Sequence, residues 1–525
     1  MTKYLTTPIY YVNANPHIGH CYTTLMTDIA ARALRLHTDE EIRFVTGTDE
    51  HADKVKSAAE AAEVPVAEWC DTHARNFQHA FAAFNIRYDD FIRTTEDRHK
   101  ETVLANIGYL MGKGDVYEGE FEGWYDAGQE EYVTEHAAKK TDYKSSITGK
   151  PLERRKEKNW FFRLSKYREA ILQHIRSTED FITPNQRANE IIARLEGEIN
   201  DIPITRKVPG GGWGISLPND PEQVIYVWID ALFNYRSALN DGSDKLTKKF
   251  WPPTHIIAKD ILWFHAVVWP ALLIALDRPL PERIHAHSFW VHDSRKMGKS
   301  SNNFVSIEGL SKLAGQVGTD GIRYYLASQG PWDAADTSFN AEDVFALYNA
   351  DLARGFGNLV NRVGKLIETY RDNKIVRPGN SFPDYIEAAT DGFAIIKQLI
   401  KSGNDARNLK IPKLIRRANK VIDAANKLLS DMEPWKLAKQ DDPESQEKFD
   451  WCMVAAVQMI QIAAAILNPI CPEGTARLQS AWNLKPFESL GPCLPILTGH
   501  EISGPLVLYP VAEEAGVDRF LASAT

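Results

Sequence analysis

Short blocks of apolar and β-branched residues at 4–12 and 42–47 alternate with segments, 23–36 and 53–62, in which apolar residues recur every three to four positions. The blocks predict buried strands and the recurrences amphipathic helices, so roughly the first 110 residues read as βα units of a parallel sheet. Ligands of such sheets sit at the carboxyl ends of the strands. From about 114 to 201 the pattern turns aromatic, charged and rich in short turns, as an insertion would be. Alternation returns near Pro209 and includes the strand-like runs 224–229 and 255–258. Beyond about Asn340 strand signals fade, and long amphipathic stretches to about Trp482 predict a helical bundle followed by a Pro- and Gly-punctuated tail.

Bulk properties narrow the picture. At 525 residues the chain exceeds one core, and the net charge of −9 argues against a protein that coats nucleic acid nonspecifically through a basic surface. Cys21, Cys70, Cys452, Cys471 and Cys493 are scattered without a CxxC pair, which fits neither a disulfide framework nor a zinc ribbon and points to a reducing cytoplasm. No basic n-region precedes an apolar segment at the N-terminus. The most apolar stretch, 451–470, contains Gln458 and Gln461 and stops at Asn468-Pro469, so it is expected as a buried bundle helix and no membrane partner is expected.

Two segments carry phosphate chemistry. Pro16-His17-Ile18-Gly19-His20 lies where a strand gives way to a helix, so amides at the helix start and two imidazoles can face an anion, and Gly19 lets a nucleotide approach the backbone. Lys296-Met297-Gly298-Lys299-Ser300 follows a strand-like run, and its two lysines can neutralise a departing pyrophosphate.

In this order and spacing the two resemble the HIGH and KMSKS signatures of class I aminoacyl-tRNA synthetases. The flanking runs Thr7-Pro-Ile-Tyr-Tyr-Val-Asn13, Thr46-Gly-Thr-Asp-Glu-His51, Tyr226-Val-Trp-Ile-Asp-Ala231 and Lys259-Asp-Ile-Leu-Trp-Phe-His265 resemble the methionyl-tRNA synthetase family. The likeness runs from about Tyr4 to Pro510. It implies an α/β, Rossmann-type parallel-sheet catalytic domain in two halves, 1–115 and 207–300. A connective insertion would occupy 116–206, a stem-contact region 301–347, and an all-α anticodon-binding bundle with its tail 348–525.

The resemblance implies methionine activation by ATP with Mg2+, then transfer to the 3′ end of tRNA(Met), initiator included. His17, His20, Lys296 and Lys299 would be catalytic. Pro16, Gly19, Lys259, Asp260, His287, Met297 and Ser300 would hold ATP. For methionine, Ile9 would offer a backbone N–H and Tyr235 a hydroxyl to the sulfur, Tyr11, Trp228, Ala231, Leu232, Ile261 and His265 would enclose the side chain, and Asp49 would pair with the ammonium. A thioether calls for an apolar, aromatic pocket of this kind. In the bundle, Asn361, Arg362 and Trp435 would bind the anticodon, the tryptophan by stacking an unpaired base. Arg407, Lys410, Lys413, Arg416, Arg417, Lys420 and Lys427 form a basic cluster there, open to an RNA backbone or to solvent alone.

Departures from the family are as informative as matches. The insertion holds no cysteine, and His136 cannot replace a ligand set, so no structural zinc is expected and the metal assignment is none. Ala52, Ala258 and Ser288 stand where the family has glycine, and Gly298 stands for the first serine of KMSKS, which predicts altered ATP affinity. No appended dimerisation module is visible, and a monomer is expected. Another class I synthetase and a non-catalytic tRNA-binding paralogue are the alternatives. The first would bring a larger editing insertion or active-site zinc ligands, and the second would have lost His17, His20 or Lys299.

Overall fold

The structure, a computed structural model, describes residues 2–126, 131–133, 135–146, 149–208, 212–240, 244–292, 295–296, 305–376, 383, 386, 392–485, 487 and 499–513. Six strands build the central sheet: β1 (Thr2–Tyr11), β2 (Glu41–Asp49), β3 (Asp90–Arg93), β4 (Ile182–Thr183), β5 (Pro253–Ala258) and β6 (Arg283–His287), in the order β3-β2-β1-β5-β6-β4. Every pairing is parallel. β5 is buried along nearly its whole length, as expected of a strand covered on both faces. Between Thr6 and Ile9 the β1–β2 register shifts, and Tyr11 then pairs with Asp49 at the carboxyl edge.

Helix α1 (Ile18–His37) follows β1 and starts at a capping box in which the cap residue is His17. Fifteen of its twenty residues are buried, which holds it by packing rather than by propensity. β4 lies inside 116–206, so the insertion segment itself contributes a strand to the central sheet. The rest of that segment forms an antiparallel sheet of Glu131–Val133, Val116–Asp126, Glu153–Phe162 and Ile202–Pro203.

One expectation is corrected. The run 224–229 is not one strand: a strand spans Asp220–Ile225, and a helix, Val227–Leu232, begins directly after it. Tyr226 is the extended cap whose carbonyl accepts from Ile229 N–H (2.9 Å) and Asp230 N–H (3.0 Å). An apolar run buried all round has no period to distinguish strand from helix.

The carboxyl-terminal half is helical, with α2 (Ile307–Gln329), α3 (Asn358–Arg371), α4 (Ile411–Met432) and α5 (Pro443–Leu467). Gly318, at φ +73°, breaks α2 in the middle. α5 is long and apolar enough to cross a membrane, yet 94% of its apolar window is buried inside the protein. The tail packs back on the helices: His500–Glu501 pairs with Lys374–Ile375, and Tyr348 donates to the carbonyl of Pro510 at 2.8 Å.

A buried ion pair joins the halves. Arg323 on α2 donates to Asp28 on α1 (2.8 Å) and to the carbonyls of Phe84 (2.9 Å), Pro469 (2.8 Å) and Ile470 (2.8 Å). A fully buried guanidinium is tolerated only when its donors are satisfied in this way.

Candidate active site

The first signature turn is organised by its own histidines. His17 Nδ1 accepts from Gly19 N–H (3.0 Å), and His20 Nδ1 accepts from His17 N–H (3.2 Å), with the rings stacked at 3.9 Å. Those acceptor roles leave each ring's proton on Nε2. His20 also packs against Tyr10 (4.9 Å) and Phe77 (5.2 Å), which fixes its plane. A methyl group at Gly19 would lie 2.9 Å from His17 Cε1, so the glycine makes room for the histidine ring. Pro16 is buried beside them.

The second signature is described only at its flanks. Lys296 lies in a short strand, Arg295–Lys296, paired antiparallel with Trp290–His292. Met297, Gly298, Lys299 and Ser300 lie outside the described residues. Where the chain is described again it meets the first signature: Ser306 forms a β-bridge with His17, and Ile18 N–H donates to Val305 O at 3.2 Å. The chain that resumes after 304 therefore begins beside the His17–Ile18 turn.

At the sheet edge His287, the last residue of β6, is buried. Its Nδ1 donates to Ser288 O (2.7 Å), so its Nε2 accepts from the Thr23 hydroxyl of α1 (2.8 Å). Burial pushes it down to about 4, and it is neutral at pH 7. Lys259 ion-pairs with Asp336 (2.6 Å), which also accepts from Phe289 N–H (2.9 Å). Burial works against ionisation of Asp336, but Lys259 and that amide hold its carboxyl below the usual range. Asp260 and Ile261 continue into a one-turn 3-10 helix, Lys259–Ile261.

The residues expected around methionine come from β1, β2 and four short helical elements, Val227–Leu232, Asn234–Ser237, Lys259–Ile261 and Phe264–Val268. Ile9 follows the register shift of β1, and Tyr11 stands beside Asp49 with Lys54 Nζ 3.4 Å over its ring. Trp228 stacks on Phe264 at 4.0 Å and 4°. Ala231, Leu232 and Tyr235 are buried on Val227–Leu232 and Asn234–Ser237. His265 Nδ1 donates to Ile261 O (3.0 Å), and its Nε2 accepts from the Tyr235 hydroxyl (2.6 Å). Burial lowers His265 to about 4.

Sequence reasoning missed the group that fixes this wall. Asp230, fully buried, meets His51 Nδ1 and His99 Nε2, each at 2.6 Å, and His99 Nδ1 meets Ser237 Oγ at 2.8 Å. Burial alone would raise Asp230, yet the two imidazoles outweigh it and bring it to about 2. His51 and Asp230 lie inside two of the quoted motifs, whereas His99 and Thr23 have no local signal.

The substituted glycine positions show ordinary backbones. Ala52 (φ −69°, ψ 143°) and Ala258 (φ −84°, ψ 154°) adopt conformations open to any residue. Ser288 is 1% exposed and turns its hydroxyl to Arg187 (2.8 Å). In the helical half, Asn361 and Arg362 are half-buried on α3, and Trp435 is half-buried in the short helix Pro434–Leu437. In the basic cluster Arg407 pairs with Glu40 and Arg417 with Asp405, while Lys413, Arg416, Lys420 and Lys427 are exposed along α4.

Known proteins supply the frame. The profile of the tRNA synthetases class I (M) matches residues 3–364. The chain belongs to the class I aminoacyl-tRNA synthetases. A methionine–tRNA ligase of Thermosynechococcus vestitus is 36% identical over 480 residues, 89% of this chain and 88% of its own length. That of Rickettsia bellii is 34% identical over 526 residues, 98% of this chain and 99% of its own. The solved Mycobacterium tuberculosis methionyl-tRNA synthetase in complex with methionyl-adenylate superposes with a TM-score of 0.89 at 32% identity, over 97% of this chain and 99% of that one. Within its class, the chain is a member of the methionyl-tRNA synthetase family.

Proposed function

We propose that this chain activates L-methionine with Mg-ATP to methionyl-adenylate and pyrophosphate, then transfers the methionyl group to the 3′ end of tRNA(Met), initiator included, releasing AMP. The observation that carries this reading is the contact of Ser306 and Val305 with the His17–Ile18 turn, which brings the chain that directly follows the basic segment to the histidines.

In the first step the methionine carboxylate attacks the α-phosphorus. His17 and His20 donate from Nε2 to its oxygens as charge builds, and Lys296 and Lys299 stabilise the leaving pyrophosphate. Pro16, Gly19, Lys259, Asp260, His287, Met297 and Ser300 hold the nucleotide, and Mg2+ travels with the ATP phosphates. Asp49 takes the substrate ammonium. Ile9, Tyr11, Trp228, Ala231, Leu232, Tyr235, Ile261 and His265 enclose the thioether, and Asp230 keeps the helices of that wall in place. No covalent enzyme nucleophile is needed, because the adenylate is itself the activated acyl donor.

The two halves 1–115 and 207–300 act as the catalytic domain, 116–206 as the connective insertion, 301–347 as the stem-contact region and 348–525 as the anticodon domain, where Trp435, Asn361 and Arg362 read the loop. The protein works in the cytoplasm as a monomer. ATP–pyrophosphate exchange across a panel of amino acids tests the assignment: exchange should depend on methionine, and methionine-independent exchange, or none at all, overturns it.

A further inference from the structure

Ser288 is fully enclosed and uses every part of itself. Its N–H donates to Pro331 O (2.8 Å), its carbonyl accepts from His287 Nδ1 (2.7 Å), and its hydroxyl accepts from Arg187 Nη2 (2.8 Å). The same Nη2 donates to Ala334 O (2.9 Å), and Nη1 reaches Glu190 (2.5 Å). Arg187, 7% exposed, stands on the helix Asn185–Glu196 that follows β4. One residue between these carbonyls, Trp332 O is met by His285 Nε2 at 3.0 Å.

Three backbone carbonyls of 331–334 are thus gripped by the Ser288 N–H, His285 and Arg187, and the Ser288 hydroxyl ties the Arg187 guanidinium to the same place. We propose that Arg187 and Ser288 are positioning residues that lock the 331–334 segment onto the end of β6 and so fix His287 for the nucleotide. Arg187 holds the Ser288 peptide in place by its side chain, that peptide's carbonyl sets the His287 tautomer, and His287 Nε2 is left for Thr23 of the signature helix. A glycine at 288 would leave the peptide held by its two backbone hydrogen bonds alone and Arg187 with one partner fewer.

The inference rests on reading His287 as part of the ATP site. Steady-state exchange with Ser288→Ala should raise the ATP KM about three- to tenfold while the methionine KM and kcat stay within about twofold, the scale of one lost charged hydrogen bond acting indirectly. Arg187→Met should shift the same constant, and the double variant should match Arg187→Met alone. An unchanged ATP KM in Ser288→Ala, with or without a fall in Tm, overturns the lock, and so do additive effects in the double variant. If His287→Asn also leaves the ATP KM unchanged, the nucleotide role of His287 has failed; if it raises the ATP KM while Ser288→Ala is silent, only the lock has failed.

Discussion

The hydroxyl of Tyr235 donates to His265 Nε2 at 2.6 Å, because the other ring nitrogen of His265 is already committed to the carbonyl of Ile261. The tyrosine proton is therefore occupied in this state, and in the methionine role proposed for Tyr235 the sulfur would meet the pair rather than a lone hydroxyl. Tyr235→Phe strands a buried imidazole nitrogen and should cost about 1–3 kcal/mol of stability. Urea unfolding measures that loss. The exchange assay should show a raised methionine KM with the ATP KM unchanged, and an unaltered methionine KM would count against a pocket role.

Gly19 acts through His17. A Cβ there would approach His17 Cε1 to 2.9 Å, so Gly19→Ala should push the ring off the turn that it caps. Methionine activation should fall by about a hundredfold, the scale of losing one oriented donor to a developing oxyanion. Circular dichroism should be unchanged, and exchange at the native rate would show that the ring tolerates the methyl group.

Burial holds four histidines beside the sheet neutral. His265 and His287 are pushed down to about 4, His285 to about 3 and His255 well below its usual range. Since each folded value lies below the unfolded one near 6.5, the unfolded chain takes up protons first. Stability from this source is complete above pH 6.5 and is lost as pH falls towards 4, with a slope of about 1.4 kcal/mol per pH unit for each histidine. Urea midpoints at pH 7.5 and 5.5 should show a drop. A flat profile across that window would contradict the burial of these rings.

Trp435 follows the αL residue Glu433 (φ 44°) and is half-buried, leaving part of its ring open. Trp435→Ala should raise the tRNA KM by about five- to a hundredfold, as removing one stacking partner does, without altering exchange. Equal charging of a tRNA with and without the CAU anticodon by the native enzyme would remove the basis for that expectation.

Much was legible in the chain alone. The two signatures and four flanking runs are local strings, and the parallel sheet and helical half follow from periodicity, because strands buried on both faces and amphipathic helices leave distinct patterns. The run 224–229 was not legible, since an element apolar on all sides carries no period. Nor could any pattern connect His99 to Asp230, Thr23 to His287 or Arg187 to Ser288. These partners stand between 101 and 264 residues apart. Sequence by itself determined to which family the chain belongs and where its two signatures and four flanking runs lie. Tertiary structure decided what meets the second ring nitrogen of His287 and of His265 and what the serine at 288 touches, because hydrogen bonds between distant segments exist only once the fold has brought their donors and acceptors within 3 Å or so.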